Sequence, residues 1–257
     1  MSPLARWLSV TRHGCYAGAL LIVETRSPEP VPELSVVVMA YNEAASLKMV
    51  TDEITAAVQR LGISYELLIV DDGSTDETGA IADYLAQQSG TVRVVHHAPN
   101  GGLGAVYRTG FAEARGLYLT FFPADGQFPA SSIGQLLAVM PDQDMVLGYI
   151  PRRPGMVLSR MLSLVERLLY RALFGSLPTF QGVLMFRRVL LKEIELESRG
   201  RGWAVLMELI IRTSRGGYRV TSIPTGVRPR FAGQSKVNNF RTIWANLIQV
   251  LELRRCL

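Results

Sequence analysis

Phe121-Phe122-Pro123-Ala124-Asp125-Gly126-Gln127-Phe128-Pro129 is the stretch on which the fold of this chain turns. An apolar run, residues 117–122, leads into it and reads as a buried strand. Pro123 stops that strand, and a carboxylate (Asp125) and a carboxamide (Gln127) follow two residues apart. Oxygen-bearing side chains just past the carboxyl end of a strand suit a divalent cation and a phosphate. The same residues also suit a plain Asp-Gly turn, so the surrounding chain decides between the two.

Upstream, the β-branched run 34–40 reads as a buried strand ending at Tyr41-Asn42-Glu43. Leu47, Val50, Ile54 and Val58 recur at helical spacing through residue 61. Residues 65–70 form a second apolar strand closed by Asp71-Asp72-Gly73-Ser74, and a helix over 77–88 follows, with Thr75 or Asp76 as its N-cap. Residues 92–96 make a third strand. Asn100-Gly101-Gly102-Leu103-Gly104 then opens a helix to about residue 114. Continuous apolar strands alternating with helices predict an α/β fold whose mostly parallel, Rossmann-like sheet is covered on both faces. Ligands of such sheets bind beyond the strands' carboxyl ends. Three of those ends carry polar clusters, at Tyr41-Asn42-Glu43, Asp71-Asp72 and Asp125-Gln127. The glycine run lacks the full G-x-G-x-x-G of a dinucleotide loop, since Tyr107 stands at its third position. Its helix N-terminus remains a candidate neighbour for a diphosphate.

Downstream, 131–139 reads as a Ser-capped helix, 145–148 and 183–186 as strands, 203–213 as an apolar helix carrying Glu208, and 218–223 as a strand. Residues 156–174 and 239–253 read as amphipathic helices with arginines on or beside their polar faces, suited to a core or to a membrane interface. Arg228-Pro229-Arg230-Phe231-Ala232-Gly233-Gln234-Ser235-Lys236 reads as a flexible basic loop able to clamp phosphate oxygens.

The chain has 257 residues, 48% hydrophobic and 19% charged, enough for one large or two small cores and not the composition of a disordered chain. Its formal charge is +5, with most arginines in the second half, which points to anionic partners: diphosphate, lipid phosphate or acidic headgroups. No nucleic-acid motif is present. No apolar run approaches the roughly 18 residues of a membrane span. Residues 1–33 are expected to form a poorly ordered extension. The two cysteines, Cys15 and Cys256, fit a reducing compartment rather than a disulfide framework.

The ordered set Ala40-Tyr41-Asn42-Glu43, Val70-Asp71-Asp72-Gly73-Ser74, Asn100-Gly101-Gly102-Leu103-Gly104, Ala124-Asp125-Gly126-Gln127 and Arg230-x-x-Gly233-x-Ser235-Lys236 resembles the family-2 glycosyltransferases, most nearly the dolichyl- or polyprenyl-phosphate sugar synthases. The resemblance implies a GT-A-type domain over 34–237 followed by a C-terminal amphipathic helix, 238–257. It implies an inverting, metal-dependent hexosyltransferase using a nucleotide-diphosphate sugar of GDP-mannose or UDP-glucose type. The acceptor would be a polyprenyl or dolichyl phosphate. The enzyme would be cytoplasmic, peripheral on the inner face of the membrane, with or without a membrane-protein partner. A saccharide or soluble acceptor, or a non-catalytic nucleotide-sugar-binding domain, are the alternatives. By the same resemblance Tyr41 and Glu43 contact the nucleotide, Asp72 and the backbone at Val70 hold the base or ribose, and Ala40 and Ala124 line the donor site. Asp125 and Gln127 would ligate Mg2+ or Mn2+, with Asp125, Arg230 and Lys236 catalytic and Arg152, Arg153, Arg230 and Lys236 on the acceptor phosphate. Glu208 is expected to be structural. Two positions depart from the family pattern: Pro123 stands where a first Asp is usual, and Gly148-Tyr149-Ile150 lacks an expected arginine.

Overall fold

The computed structural model describes residues 31–151, 175 and 177–231. The N-terminal extension up to residue 30, the two amphipathic helices, Arg152, Arg153 and Lys236 lie outside the described residues.

Seven strands form one sheet in the order β3-β2-β1-β4-β6-β5-β7. They are β1 (Leu34–Ala40), β2 (Tyr65–Asp71), β3 (Val92–His96), β4 (Tyr118–Pro123), β5 (Met145–Tyr149), β6 (Leu184–Arg187) and β7 (Val220–Pro224). The pairs β1–β2, β1–β4, β2–β3 and β5–β7 are parallel. Only β6 runs antiparallel, to both β4 and β5. The helices are α1 (Leu47–Leu61), α2 (Thr78–Gln88), α3 (Leu103–Glu113), α4 (Ser131–Leu137), a single turn α5 (Leu190–Glu193) and α6 (Ala204–Arg215).

The central strands are mostly apolar because both faces are covered. Side chains alternate between faces along a strand. Val37, Leu68, Val70 and Phe121 therefore point to one core with residues of α3 and α6. Val36, Val38, Leu67, Ile69 and Phe122 point to the other, with residues of α1, α2 and α4. Phe121 is held edge-on by Phe111, centroids 5.5 Å apart, and lies 4.8 Å from Tyr107. Its ring sits where a Cβ on Gly110 would be, 2.5 Å away, so α3 approaches the sheet closely only because residue 110 has no side chain.

β4 ends at Pro123, which is itself part of the strand. It pairs with Met39 as the strand's last residue. A proline is tolerated there because β6 pairs with β4 only over Tyr118, Leu119 and Thr120. Beyond Thr120 that edge of β4 has no β6 partner, and no ladder N–H is demanded of it. The sheet thus parts at the carboxyl end of β4, and the polar loops gather beside the opening.

Candidate active site

Three loops leave neighbouring strand ends. After β1, Asn42 takes a left-handed conformation (φ 52°) that an asparagine accommodates readily. Its side-chain oxygen accepts from Thr75 N at 2.7 Å, and its own N–H donates to Ser74 Oγ at 2.9 Å. Glu43 N donates to Thr78 Oγ1 at 2.8 Å. The loops after β1 and β2 are thereby laced together. The N-cap position of α2 is Glu77, which makes no side-chain cap, rather than Thr75 or Asp76; Asp76 lies one residue before it and accepts Thr78 N at 3.0 Å. The N-cap position of α4 is Ala130, also without a side-chain cap, so Ser131 is not the cap. Tyr41 stands on the rim of this edge, 37% exposed.

The adjacent carboxylates Asp71 and Asp72 are both buried, and each organises a loop. Asp71 Oδ1 accepts from Ser74 N and Oγ. Asp71 Oδ2 lies 2.9 Å from His96 Nδ1, whose other ring nitrogen is 3.1 Å from Asp83 Oδ1. These bonds, to Asp71 first and then to Asp83, hold the imidazolium above the ordinary histidine value. A raised folded-state value means the stabilisation is complete below about pH 6.5 and is lost as pH rises through that raised value. The melting temperature is therefore expected to fall as pH rises above about 6.5, and His96→Gln should remove that slope; calorimetry of both proteins at rising pH checks it.

Asp72 is turned toward the glycine run. Its Oδ1 accepts Gly101 N at 2.9 Å and meets His97 Nδ1 at 2.7 Å; its Oδ2 accepts Gly102 N at 2.8 Å and Asn100 Nδ2 at 2.7 Å. Gly104 N in turn donates to Arg201 O at 2.8 Å. The start of α3 is thus closed by the protein itself, with a carboxylate on Gly101 and Gly102 and a carbonyl on Gly104. The N–H groups of Gly101, Gly102 and Gly104 at this candidate diphosphate neighbour therefore already have protein acceptors. The glycines are required by close approach: a Cβ on Gly104 would sit 2.1 Å from Gly200 O and 2.7 Å from Gly202 O. Gly104→Ala is expected to cost about 2–3 kcal/mol, measurable by denaturant unfolding. Arg201 completes this contact, its Nη2 donating to Asn100 O and Oδ1.

The third loop carries Asp125, 6% exposed, whose Oδ1 accepts Gln127 N at 2.9 Å. Residues 228–231 lie along it. Arg228 N donates to Gln127 O at 2.9 Å, Phe231 N to Asp125 O at 3.0 Å, and Arg228 Nε to Gly126 O at 2.7 Å. The Phe231 ring presses on Gly126, where a Cβ would be 2.4 Å from it. Gly126 is also at φ 72°, so glycine is doubly demanded there. This part of the basic segment is docked, not the flexible loop its composition suggests. Docking brings Arg230 Nη2 to 3.3 Å from Asp125 Oδ2. The structure therefore gathers Ala40, Tyr41, Glu43, Val70, Asp72, Ala124, Asp125, Gln127 and Arg230 at one edge of the sheet. Glu208 is not among the site's working groups. It is fully buried, and its oxygens accept from Glu197 N, Ser198 N and Arg212 Nε.

A mostly parallel sheet interrupted by one antiparallel strand, with a carboxylate and guanidinium at the parted strand end, defines a GT-A-type glycosyltransferase domain. Comparisons with known proteins agree. The profile of "Glycosyl transferase family 2" matches residues 35–194, and the chain belongs to that family. It is 31% identical over 226 residues to a polyprenol monophosphomannose synthase of Mycolicibacterium smegmatis, covering 81% of this chain and 82% of that one. It is 29% identical to an undecaprenyl-phosphate mannosyltransferase of Micrococcus luteus, covering 79% and 86%. Among solved structures, glucosyl-3-phosphoglycerate synthase of Mycobacterium tuberculosis with Mn2+ and UDP-glucose superposes with a TM-score of 0.65 at 24% identity, covering 87% and 79%.

Sequence reading missed His96, His97, Asn100 and Arg201 as organisers of the loops. The signal for the first two was their position at the end of β3, where His96 is paired with Asp71 in the parallel register and His97 follows it.

Proposed function

We propose that this enzyme transfers a hexose, with inversion at the anomeric carbon, from a nucleotide-diphosphate sugar to polyprenyl or dolichyl phosphate at a membrane surface. The observation that carries the reading is kinship along about four fifths of the chain with enzymes named for polyprenol- and undecaprenyl-phosphate mannosylation. The site chemistry supports it. A phosphate oxygen is already ionised at neutral pH, so direct displacement by it needs no strong base, and Glu208 is sealed away from that role. The demand falls on the leaving group. As the sugar–phosphate bond breaks, negative charge accumulates on the nucleoside diphosphate, and positive groups aimed there lower the barrier.

Arg230 is the described guanidinium placed for this, beside Asp125. Among the described residues no group of three or more His, Cys, Asp or Glu side chains is arranged to hold a metal. Magnesium-type ions often take one or two carboxylates and draw further ligands from substrate phosphates and water. Asp125 with Gln127 fits that donor set, and the guanidinium beside Asp125 Oδ2 marks this oxygen as a seat for positive charge. In this reading Asp125 and Gln127 hold Mg2+ or Mn2+, which when bound neutralises charge on the departing diphosphate. Ala40, Tyr41, Glu43, Val70 and Ala124 line the nucleotide side. Arg230 with Lys236, Arg152 and Arg153 receives the acceptor phosphate. No helix among the described residues is long and apolar enough to cross a membrane; attachment at the inner membrane face is part of the proposal.

Incubation with Mn2+, GDP-mannose or UDP-glucose labelled in the sugar, and detergent-dispersed polyprenyl phosphate should yield an organic-extractable glycolipid. Transfer to a water-soluble acceptor without lipid would replace the acceptor in this reading. Donor binding with no product from any donor would overturn it.

A further inference from the structure

Glu53 lies on α1, away from every motif in the sequence, yet it touches two separate segments. Its carboxylate forms a two-pronged ion pair with Arg228, Oε1 to Nη1 at 3.2 Å and Oε2 to Nη2. Oε1 also accepts Ala130 N at 3.1 Å, where the Asp125 loop runs into α4. Arg228 is itself fully committed. Its Nη atoms meet Glu53, its Nε donates to Gly126 O, its backbone N–H donates to Gln127 O, and its guanidinium lies 4.3 Å above the Phe231 ring. Only an arginine can do this, because the planar fork and the separate Nε–H are used at once. The anchor is rigid, since α1 is fixed to the sheet by buried Leu47, Val50, Ile54 and Val58.

We propose that Glu53 is a positioning residue for sugar transfer: acting through Arg228, it holds the 228–231 segment on the 125–127 loop and so sets Arg230 against Asp125. The proposal rests on the reading of Asp125 and Arg230 as the donor-diphosphate site. Two cations stand two residues apart in this segment, at 228 and 230, and Asp125 needs only one. Glu53 takes the charge of the first, leaving the second for the carboxylate. Both partners are about a third exposed, so the pair is only a modest stabiliser of the fold, and its value lies in placement.

The test is a cycle of substitutions read by turnover and by binding. Glu53→Gln keeps an acceptor for Ala130 N but loses the charge. It is expected to lower kcat about tenfold, with the melting temperature within about 2–4 °C of the parent. In the Arg230→Ala background the same substitution should cost less than about twofold, because the group it positions is gone. Arg228→Lys should behave as Glu53→Gln does, and their combination should be no worse than either alone; it carries the test if Glu53→Gln unfolds. A merely structural role predicts equal losses in both backgrounds, and that result would overturn the proposal. Calorimetry of nucleoside diphosphate binding with Mn2+ on the same proteins reads the coupling without any acceptor. Absence of glycolipid in the parent would then sink the acceptor reading alone, whereas additive binding losses would sink the positioning role.

Discussion

Asp125→Asn is expected to lower sugar transfer by about three orders of magnitude while leaving the fold nearly as stable as the parent. The separation of these two effects follows from how the side chain is used. Oδ1 accepts Gln127 N and shapes the turn, a bond the amide oxygen of asparagine can keep. Oδ2 faces the guanidinium of Arg230, and that role needs a charge. Pro123 makes the loss severe: the position that often supplies a first carboxylate in the family supplies none here, so no neighbouring acid within the motif takes over. Asp125→Ala should lose the same activity and add a modest stability cost, because Gln127 N then loses its acceptor in a half-buried loop. Mn2+-dependent binding of nucleoside diphosphate, followed by calorimetry, should vanish in both variants. An Asn variant that retained metal-dependent transfer within tenfold of the parent would show that Asp125 does not seat the cation.

The core elements were legible because their physics is local. Continuous apolar runs and period-3.6 patterns produced the strands and every α-helix among the described residues except the single turn α5, too short to show a period. The antiparallel direction of β6 was not legible, since four apolar residues read alike in either direction. The strand-end carboxylates were also visible, as was their convergence, which follows from parallel strands starting from one edge. What each carboxylate does was not visible. Asp72 and Asp125 look alike in sequence, each just beyond a buried strand, yet one faces amides and the other a guanidinium. That difference depends on residues 28 to 30 positions from Asp72 in the first case and on docking of the 228–231 segment in the second. Glu53 was invisible for the same reason: its partner, Arg228, is 175 residues away.

Asp72 supplies the sharpest contrast between the two kinds of role, and Asp72→Ala is expected to destabilise the protein by about 3–5 kcal/mol. The carboxylate is nearly inaccessible, and its loss strands Gly101 N and Gly102 N and takes one partner each from the Asn100 amide and the His97 ring. For a domain of about 200 residues this corresponds to a fall in melting temperature of roughly 10 °C. The family resemblance assigns Asp72 to the base or ribose of the donor, and the two roles separate experimentally. A residue whose main work is holding the 100–104 loop should lose stability first, and its nucleotide affinity should recover as temperature is lowered and the loop closes. A residue whose main work is contacting the base should lose affinity at every temperature with little change in unfolding. Asp72→Asn sharpens the comparison, because it restores one acceptor but turns an N–H toward the glycine amides. Stability between the parent and the alanine variant is therefore expected, with nucleotide affinity tracking stability. An alanine variant that unfolded like the parent yet bound no nucleotide would return Asp72 to the ligand and leave the loop held by Arg201 and by the Asn100 amide on the residue-72 carbonyl.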